Sequence, residues 1–368
     1  MNHEVSYSLK HPFTASVKKV IPLNKEGSSK SNHHVELSIK GSGISYSIGS
    51  SFGLLPHNNE KEVLNLLFIL QVSTNEMIYP KKREEIISVY DYFLKYVNLT
   101  RVTKKIAEAL LPFQKDSALE DLLATSWHEY TKAQNLSDFL KSFYKKELPL
   151  SELVDLLSPM LPRFYSVASS QKVHGDIIHL LVADFTNEKG LRSLTTEHLL
   201  QKKEISLFSQ PNPSFTPPED DTPIIMIGPG TGLAAFLGFL QERILFKNFK
   251  NNILFTGDRQ KAYDFIYEDE LLSYEKAGNL KLFTAFSRDS VHKIYVQDKM
   301  WEQKEFLGDL ILNKGAHIFV SGDATRMAKD VTATLERIIA SKKSVSPEEA
   351  HLIVKDLKKQ KRFHLDVY

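Results

Sequence analysis

The apolar and polar positions change their spacing along the chain. Within roughly the first sixty residues, HVELSIK and GISYSI alternate apolar with polar positions, which predicts two β-strands, and Gly41-Ser42-Gly43 between them predicts a hairpin turn. From about residue 60 to residue 157 apolar residues recur at intervals of three and four, as in segment 86–97, which predicts amphipathic helices. Strand-like segments then return as RFYSVASS and DIIHLLVADF. This order predicts a β-domain interrupted by a helical insertion.

Two local signals predict helix starts inside this insertion. Ser117 followed by Glu120 matches a capping box, which predicts that a helix begins there. The segment SELVDLL, which begins at Ser151, predicts a short helix that ends before Pro159.

A proline-rich linker, QPNPSFTPPEDDTP, separates the β-domain from a different pattern. After the linker, four apolar strands each precede a helical stretch, at 224–227, 252–256, 280–286 and 316–320. Such alternation predicts a parallel, doubly wound sheet with right-handed crossovers. The predicted fold is therefore a β-domain formed by 1–59 and 158–215, a helical insertion at 60–157 and an α/β domain at 219–368.

The turn after the first of these four strands combines glycines with a helix start. Its sequence is Gly228-Pro229-Gly230-Thr231-Gly232, followed by the helical stretch LAAFLGFLQER. Open parallel sheets bind ligands beyond the carboxyl ends of their strands. Glycines let a phosphate approach the backbone there, and a helix N-terminus offers free N–H groups. The turn matches neither the GxGxxG fingerprint nor a P-loop, so a tight turn without a ligand is the alternative.

Polar side chains also follow the third and fourth strands. After the third strand come a serine, two cations, a tyrosine and a glutamine, namely Ser287, Arg288, Lys293, Tyr295 and Gln297. Cations and hydroxyls in one short stretch suit a phosphomonoester, the group that distinguishes NADP from NAD. The fourth strand ends in Ser321-Gly322-Asp323-Ala324. Polar turns along one sheet edge predict a dinucleotide site, and a solvated charged loop is the alternative.

A second group of candidate residues opens the strand RFYSVASS. Arg163 and Tyr165 share one face of an extended strand, and Ser166 takes the other. An arginine can hold a pyrophosphate, and a tyrosine can cover an aromatic ring system. An edge strand with a solvated arginine is the alternative.

Composition excludes several kinds of chemistry. The 368 residues include no cysteine, which excludes disulfides, thiolate nucleophiles, cysteine-bound zinc and iron–sulfur clusters. The net charge of +2 gives no field that would favour nucleic acid or a membrane surface. Pro229 and glycines break the uncharged run 222–241, so no membrane span is expected, and the N-terminus lacks the apolar core of a signal peptide. We expect a cytoplasmic protein.

The chain also resembles a known family in five segments that occur in the family's order. It is similar to the ferredoxin–NADP reductase-like FAD/NADP module of the diflavin reductases, most closely the branch of bacterial NADPH sulfite reductase flavoproteins, in RFYSVASS, GPGTGLAAFLGFLQER, AFSRDSVHKIYVQDK, HIFVSGDATRMAKDV and DVY. The resemblance implies an FAD-binding split β-barrel with a helical connecting insertion, followed by a doubly wound NADP-binding domain. It implies a reductase that passes a hydride from NADPH to FAD and then electrons to an acceptor protein.

The resemblance implies roles for individual residues. At FAD these are Arg163 on the pyrophosphate, Tyr165 and Tyr368 against the flavin, Ser166 near its hydride-accepting nitrogen, and Ser193, Thr195, Thr196 and Thr100 nearby. At NADPH they are Gly230, Thr231 and Gly232 on the pyrophosphate, Ser287, Arg288 and Lys293 on the 2′-phosphate, and Tyr295, Gln297 and Asp330 around the adenosine. The implied catalytic residues are Ser166, Ser321 and Asp366, the last of which would support the nicotinamide cation. No metal is expected.

Three departures from the family pattern modify these expectations. Ser321 stands where the family has a cysteine, so slower hydride transfer is expected. The segment Ser193-Leu194-Thr195-Thr196 lacks the family's two glycines, and the threonine hydroxyls would compensate. The chain begins inside the FAD module, so FMN is not predicted. The electrons would leave singly, to a sulfite reductase haemoprotein subunit or to a flavodoxin- or ferredoxin-like carrier.

Other functions compete with this one. Segment 49–53 fits the hydrolase motif GxSxG around Ser51, although Pro56 follows too closely for a helix to open well. His33 and His34 are adjacent, so they face opposite ways in a strand, and solvated or core histidines are expected rather than a metal site. A ferredoxin- or flavodoxin–NADP reductase unrelated to sulfite, and a non-catalytic relative that keeps the fold, are the remaining alternatives; Ser321 favours the latter.

Overall fold

The structure is a computed structural model that describes residues 7–115, 117–145, 148–184 and 193–368. The chain forms two compact units, one of Met1–Leu54 with Phe164–Tyr368 and one of Leu55–Arg163. The second unit contains the stretch 60–157, where the sequence predicts helices.

The described strands belong to a six-stranded, a five-stranded and a two-stranded sheet. In chain order they are β1 (Phe13–Pro22), β2 (Asn32–Ser38), β3 (Ser51–Leu55), β4 (Met77–Ile78), β5 (Ile87–Ser88), β6 (Arg163–Ser166), β7 (Ile177–Ala183), β8 (Glu204–Gln210), β9 (Ile224–Ile227), β10 (Asn252–Asp258), β11 (Lys281–Phe286), β12 (His317–Gly322) and β13 (Phe363–Val367).

Helices connect these strands and form most of the second unit. They are α1 (Glu60–Leu70), α2 (Val89–Lys95), α3 (Lys104–Leu110), α4 (Ala118–Asp121), α5 (Trp127–Ala133), α6 (Leu136–Phe143), α7 (Leu150–Leu156), α8 (Gln171–His174), α9 (Leu194–Gln201), α10 (Ala234–Leu240), α11 (Lys261–Asp264), α12 (Glu268–Lys276), α13 (Val296–Glu302), α14 (Lys304–Leu312), α15 (Met327–Lys343) and α16 (Pro347–Lys359). Tighter or wider helical turns extend some of them, at Leu111–Phe113, Leu122–Ser126, Gly230–Leu233 and Gln241–Phe246.

The six-stranded sheet has the order β6-β3-β8-β1-β2-β7. β1 pairs antiparallel with β2 and β8, and β2 pairs antiparallel with β7 along its whole length. Alternate residues of β2 are fully buried in one core, as Val35 and Leu37 show, while His34 and Glu36 between them face the other way and are partly exposed. The period of two in HVELSIK is therefore the period of burial in β2.

Burial alternates along the segment GISYSI as it would in a β-strand, but the segment belongs to none of the described strands. Ile44 and Tyr46 are buried and Ser45 and Ser47 are exposed, as alternation predicts. The Tyr46 N–H donates to Gln171 Oε1 at 2.8 Å, and Gln171 Nε2 donates to the Ile44 carbonyl at 3.0 Å. The predicted hairpin is therefore wrong, because a distant glutamine side chain takes the backbone hydrogen bonds that a neighbouring strand would have made.

The unit Leu55–Arg163 packs short helices around its own apolar core. Residues from successive helices meet there, among them Leu66, Phe93, Phe139 and Leu153. In segment 86–97 the helix begins only at Val89, because the Ser88 hydroxyl caps it by accepting the Asp91 N–H. The helix predicted from Ser151 is confirmed as α7. The helix start predicted at Ser117 is confirmed, since Ser117 is the N-cap of α4, but the capping box is wrong because the Ser117 hydroxyl donates to the Asp121 carboxylate at 2.8 Å instead.

The five-stranded sheet is parallel and has the order β11-β10-β9-β12-β13. The four strands expected from the sequence are confirmed as β9 to β12, and β13 adds an edge strand that was not predicted. Every residue of β9 is buried, with Ile224 and Met226 in one core and Ile225 and Ile227 in the other. Burial on both faces explains its unbroken apolar sequence.

The uncharged run 222–241 folds into β9, the glycine turn and α10 of this domain. Across the described residues, we find no helix with both the length and the apolar character that a bilayer crossing requires.

Candidate active site

The glycine turn after β9 lies directly against the end of β12. A Cβ atom on Gly232 would lie 2.1 Å from the Ser321 carbonyl oxygen, and one on Gly228 would lie 2.5 Å from the Gly232 carbonyl oxygen. Gly230 has a φ of +58°, in the left-handed region. Close packing therefore requires Gly228 and Gly232 to be glycines, and backbone conformation favours glycine at Gly230. The turn they form lies between β9 and β12, where the strand order of the sheet reverses.

A cavity of about 460 Å³ opens beside this turn, at the carboxyl ends of β9, β10 and β11. Its volume is in the range of small-molecule and cofactor sites. Five predicted nucleotide-binding residues line it, namely Gly230, Ser287, Tyr295, Gln297 and Asp330. The structure thus brings together residues from three separate segments of the sequence.

Four charged residues of this cavity were not predicted, namely Lys30, Asp258, Arg259 and Arg326. Asp258 and Arg259 stand at the end of β10, so the rule that selected the other strand ends could have found them. Arg326 precedes α15 next to the turn 321–324. Lys30 comes from the connection between β1 and β2, and no local signal in its sequence marks it.

Lys30 and Asp258 form an ion pair at the cavity wall. Lys30 Nζ lies 2.5 Å from Asp258 Oδ1, and the aspartate side chain is only 3% exposed. Asp258 Oδ1 also accepts the Arg259 N–H at 2.8 Å. Lys30 therefore neutralises a carboxylate that would otherwise be buried with its charge uncompensated.

Two further predicted phosphate-binding residues are chain neighbours of the lining residues Ser287 and Ile294, at the rim of the cavity, whereas Thr231 and Gly232 of the glycine turn do not line it. Arg288 and Lys293 belong to the exposed loop after β11 and are not among the described residues that line the cavity. The Arg288 N–H donates to the Arg259 carbonyl at 2.7 Å, and the Ser287 N–H donates to the Asp258 carbonyl at 3.0 Å. These bonds fasten the loop to the end of β10, with two cationic side chains open to solvent.

A second cluster forms where β6 meets the ends of β12 and β13. The Ser166 hydroxyl donates to Asp366 Oδ2 at 3.1 Å. Asp366 is the register partner of Ser321 in the parallel ladder, and Ser321 is only 1% exposed. Burial raises the pKa of the Asp366 carboxyl above its ordinary value, and the Ser166 hydrogen bond offsets part of that rise. The structure therefore brings the three predicted catalytic residues together.

Tyr368 follows β13 in the same cluster. Its N–H donates to the Gly322 carbonyl at 3.1 Å, and its carbonyl accepts the Ala324 N–H at 3.2 Å. Its hydroxyl lies 3.0 Å from Thr231 Oγ1, in the glycine turn. Tyr368 as a whole is nonetheless 66% exposed, so the cluster presents an aromatic side chain that is held at both the backbone and the hydroxyl.

The remaining predicted residues are more dispersed. Arg163 is exposed at the start of the sheet's edge strand β6, and Tyr165 is partly buried against the core of that sheet. Ser193 precedes α9, within which Thr195 and Thr196 are buried; the residues 185–192 before it lie outside the described ranges. Thr100 belongs to the unit Leu55–Arg163, where its hydroxyl donates to Asn98 Oδ1 at 2.7 Å.

The hydrolase alternative fails on geometry. Ser51 is the first residue of strand β3. A nucleophile elbow needs a strand before the serine and a helix after it. A strand follows Ser51 instead, so the GxSxG pattern forms no elbow.

Comparison with known proteins defines the class. An FAD binding domain model matches residues 5–193, and an oxidoreductase NAD-binding domain model matches residues 226–333. The chain belongs to the FAD-binding-domain family, and the pair of domains is that of a flavoprotein oxidoreductase. Both the predicted class of protein and the two predicted kinds of cofactor, a flavin and a nicotinamide nucleotide, are confirmed.

Individual relatives sharpen this class to one branch. The chain is 35% identical over 378 residues to the sulfite reductase [NADPH] flavoprotein alpha-component of Bacillus subtilis (strain 168), covering 99% of this chain and 62% of that protein. It is 34% identical over 377 residues to the protein of the same name from Photorhabdus laumondii, again covering 99% of this chain and 62% of the relative. The resemblance to this branch is confirmed, and the chain spans somewhat less than two thirds of the relatives' length.

Proposed function

We propose that this chain transfers a hydride from NADPH to FAD and passes the electrons to an acceptor protein. The observation that carries the proposal is the hydrogen bond between Ser166, in the region that matches an FAD-binding domain, and Asp366, on the last strand of the nucleotide-binding sheet. This bond lies at the carboxyl edge of the parallel sheet, where nucleotides bind in such folds. When bound, FAD accepts a hydride and releases its electrons one at a time.

The residues around this bond fit a flavin. Tyr368 offers an exposed ring for stacking, and Ser166 offers a hydroxyl beside it. Arg163 is exposed on the same strand as Ser166 and would bind the pyrophosphate, with Tyr165 against the ring system. Further FAD contacts are proposed from Ser193, Thr195, Thr196 and Thr100.

Asp366 and Ser321 would act on the nicotinamide. A carboxylate near the ring stabilises the positive charge that develops as the hydride leaves. Partial burial strengthens this interaction because the local dielectric constant is low. Ser321, as the register partner of Asp366, would position the ring by contact. Because Tyr368 is fixed through its backbone, only its side chain has to move to admit the nicotinamide.

The cavity beside β9 fits the adenosine half of NADPH. The pyrophosphate would bind at Gly230, Thr231 and Gly232, with Tyr295, Gln297 and Asp330 around the adenosine. The 2′-phosphate would bind between Ser287, Arg288 and Lys293, whose two cations are exposed at the rim. Arg326 also lies in the wall, whereas the charge of Lys30 is balanced there by Asp258.

The proposed architecture is that of the family. The six-stranded sheet would close into a split β-barrel, supported by an isolated antiparallel bridge between Val167, after β6, and Leu180 of β7, which joins the two edge strands. The FAD-binding domain would comprise 1–59 and 158–215, the connecting insertion 60–157 and the NADP-binding domain 219–368.

The proposed acceptor is a haemoprotein subunit of sulfite reductase or a flavodoxin-like carrier, in a cytoplasmic setting. The relatives' name, sulfite reductase [NADPH] flavoprotein alpha-component, supports this choice. In the alternative assignment the chain is a ferredoxin- or flavodoxin–NADP reductase whose acceptor is unrelated to sulfite. Reduction of each candidate acceptor by the NADPH-reduced protein distinguishes them.

The test is a visible spectrum of the protein supplied with FAD, followed by anaerobic titration with NADPH and with NADH. We expect a bound-flavin spectrum that NADPH bleaches at lower concentration than NADH. Failure to bind FAD would reject the proposal that the chain is an enzyme and would favour a non-catalytic relative of the family. Equal bleaching by both nucleotides would reject the 2′-phosphate assignment.

A further inference from the structure

Three side chains with metal-binding atoms meet on the antiparallel sheet, on the face opposite to the core. Ligand atoms of His34, Glu36 and His179 all lie within 4.8 Å of one another. Glu36 on β2 is the direct cross-strand partner of His179 on β7, and His34 is two residues from Glu36. Direct partners and residues two apart share one face of a sheet, so the backbone itself brings the three together.

The distances are close to those of a bound metal ion. His34 Nε2 lies 3.6 Å from Glu36 Oε1. Two ligands in a tetrahedral zinc site, each about 2.0 Å from the metal, are roughly 3.3 Å apart. His34 and Glu36 therefore need almost no movement, and the His179 ligand atom lies within 4.8 Å of both.

A neighbouring tyrosine orients the first of these ligands. His34 Nδ1 lies 2.8 Å from the Tyr267 hydroxyl, so Nε2 is the ring nitrogen that faces Glu36. Metal-binding histidines commonly hold a hydrogen-bond partner on their other nitrogen. Tyr267 is the N-cap of α12, between β10 and β11, so a segment outside the antiparallel sheet also contributes to the arrangement.

A fourth imidazole lies against the cluster. The His174 ring centroid is 4.2 Å from that of His179, and His174 Nε2 is buried without a hydrogen-bond partner. A water molecule on a metal ion would give this nitrogen a partner. The side chains of His34 and Glu36 are 14% and 17% exposed, which leaves a path for an ion to enter.

We propose that His34, Glu36 and His179 bind one divalent transition-metal ion, with Zn²⁺ as the probe and water in the fourth position. Two imidazoles and a carboxylate with one open position form a recurrent zinc donor set. None of these residues belongs to the proposed flavin or nucleotide contacts. The bound ion would join β2 and β7 and stabilise the folded protein.

Lys19 competes with the metal for Glu36. Its Nζ lies 3.1 Å from Glu36 Oε1, and Lys19 is the cross-strand partner of Glu36 on β1. The lysine side chain is 61% exposed, so it can swing away into water. Its positive charge nevertheless opposes a cation, and removing that charge should strengthen metal binding.

The experiment is calorimetric titration of Zn²⁺ into the FAD-loaded full chain without a histidine tag, in a non-chelating buffer. We expect one saturable site. His34→Gln and His179→Gln should each weaken binding at least about tenfold. Lys19→Met should strengthen it several-fold, an effect that misfolding cannot produce. His351→Gln is the matched control, because it removes another histidine paired with a glutamate, 2.7 Å away, and should leave binding unchanged.

Several results would overturn the proposal. These are no saturable zinc binding by the wild-type protein, unchanged affinity in both His34→Gln and His179→Gln, or weaker binding in Lys19→Met. Because zinc is redox-inert, heats and melting temperatures can be measured in the presence of the flavin without electron transfer to the metal.

Discussion

The Ser166 hydroxyl lies 3.1 Å from Asp366 Oδ2, although 200 residues separate the two in sequence. One residue ends an edge strand of the antiparallel sheet, and the other lies near the end of the edge strand of the parallel sheet. Neither sheet alone contains the pair. The proposed chemistry therefore depends on how the two sheets are fastened to each other as well as on the residues themselves.

Replacing Asp366 tests the proposed support of the nicotinamide. Asp366→Asn should slow NADPH-dependent flavin reduction roughly 10- to 100-fold, because an amide keeps the shape but loses the negative charge. FAD content should not change. Single-turnover absorbance measurements give the rate, and the exposed residue Asp356, changed to Asn, is the control. A rate equal to wild type would remove Asp366 from the mechanism.

The pH dependence of flavin reduction tests the same residue. In the wild type, the raised pKa of Asp366 should place an acid limb of the pH profile above 3.8, and this limb should be absent from Asp366→Asn.

Although Asp366→Asn should slow flavin reduction, it should make the folded protein more stable at pH 7. Burial raises the pKa of Asp366 from 3.8, so ionisation of this carboxyl disfavours the folded state. The destabilisation is present above the raised folded-state pKa and disappears as the pH falls below the unfolded-state value. Asp366→Asn should therefore be more stable than wild type at pH 7 and no more stable at strongly acidic pH. Urea denaturation at several pH values measures the difference, and a variant less stable at pH 7 would contradict it.

Lys30 should stabilise the buried carboxylate of Asp258. Lys30→Met should lower the free energy of unfolding by about 1–3 kcal/mol, because it leaves the Asp258 charge without its ion-pair partner. The double variant Lys30→Met/Asp258→Asn should recover most of this loss. Denaturant titrations of the four members of the cycle give the coupling free energy. Additive losses in the double variant would show that the pair is not coupled.

Replacing Arg288 tests whether the loop after β11 distinguishes NADPH from NADH. Arg288→Ala should weaken NADPH binding about tenfold or more and leave NADH binding nearly unchanged, since only NADPH carries the 2′-phosphate. Anaerobic titration or competition with 2′-phosphorylated adenosine nucleotides measures both affinities. Lys343→Ala, at the far end of α15, serves as the charge control. Equal losses for the two nucleotides would assign Arg288 to the pyrophosphate or to structure.

The glycine turn can be tested by adding one carbon atom. Gly232→Ala should prevent the turn from packing on β12, because its Cβ would lie 2.1 Å from the Ser321 carbonyl oxygen, and a loss of several kcal/mol is expected. Gly41→Ala is the control: its φ of +82° is unfavourable for alanine, but apart from its chain neighbours no residue lies within 4 Å of the added carbon. It should cost only about 1 kcal/mol. If Gly232→Ala lowered the melting temperature no more than Gly41→Ala, the turn would have to accommodate the added carbon by relaxing, and the packing argument would be wrong.

The sequence predicts the nucleotide-binding sheet well and its cavity only in part. Apolar runs mark β9 to β12, and polar residues follow some of these runs directly, so the four strands and five residues of the cavity lining could be located. Lys30 could not, because it reaches the cavity from a connection in the other sheet. The failed strand GISYSI shows the same limit: its burial alternates as predicted, yet its hydrogen bonds go to Gln171, far along the chain.

The anchoring of Tyr368 has a consequence for timescales. Hydrogen bonds with Gly322 and Ala324 hold its backbone, while a hydrogen bond with Thr231 holds its hydroxyl. Moving the ring aside therefore requires one hydrogen bond to break and one side chain to rotate, motions that exposed residues complete within about nanoseconds. Moving the whole terminal segment would belong to the slower range of loop motion. In the proposed mechanism, displacement of the ring is therefore a side-chain motion that leaves the backbone of the terminal segment in place.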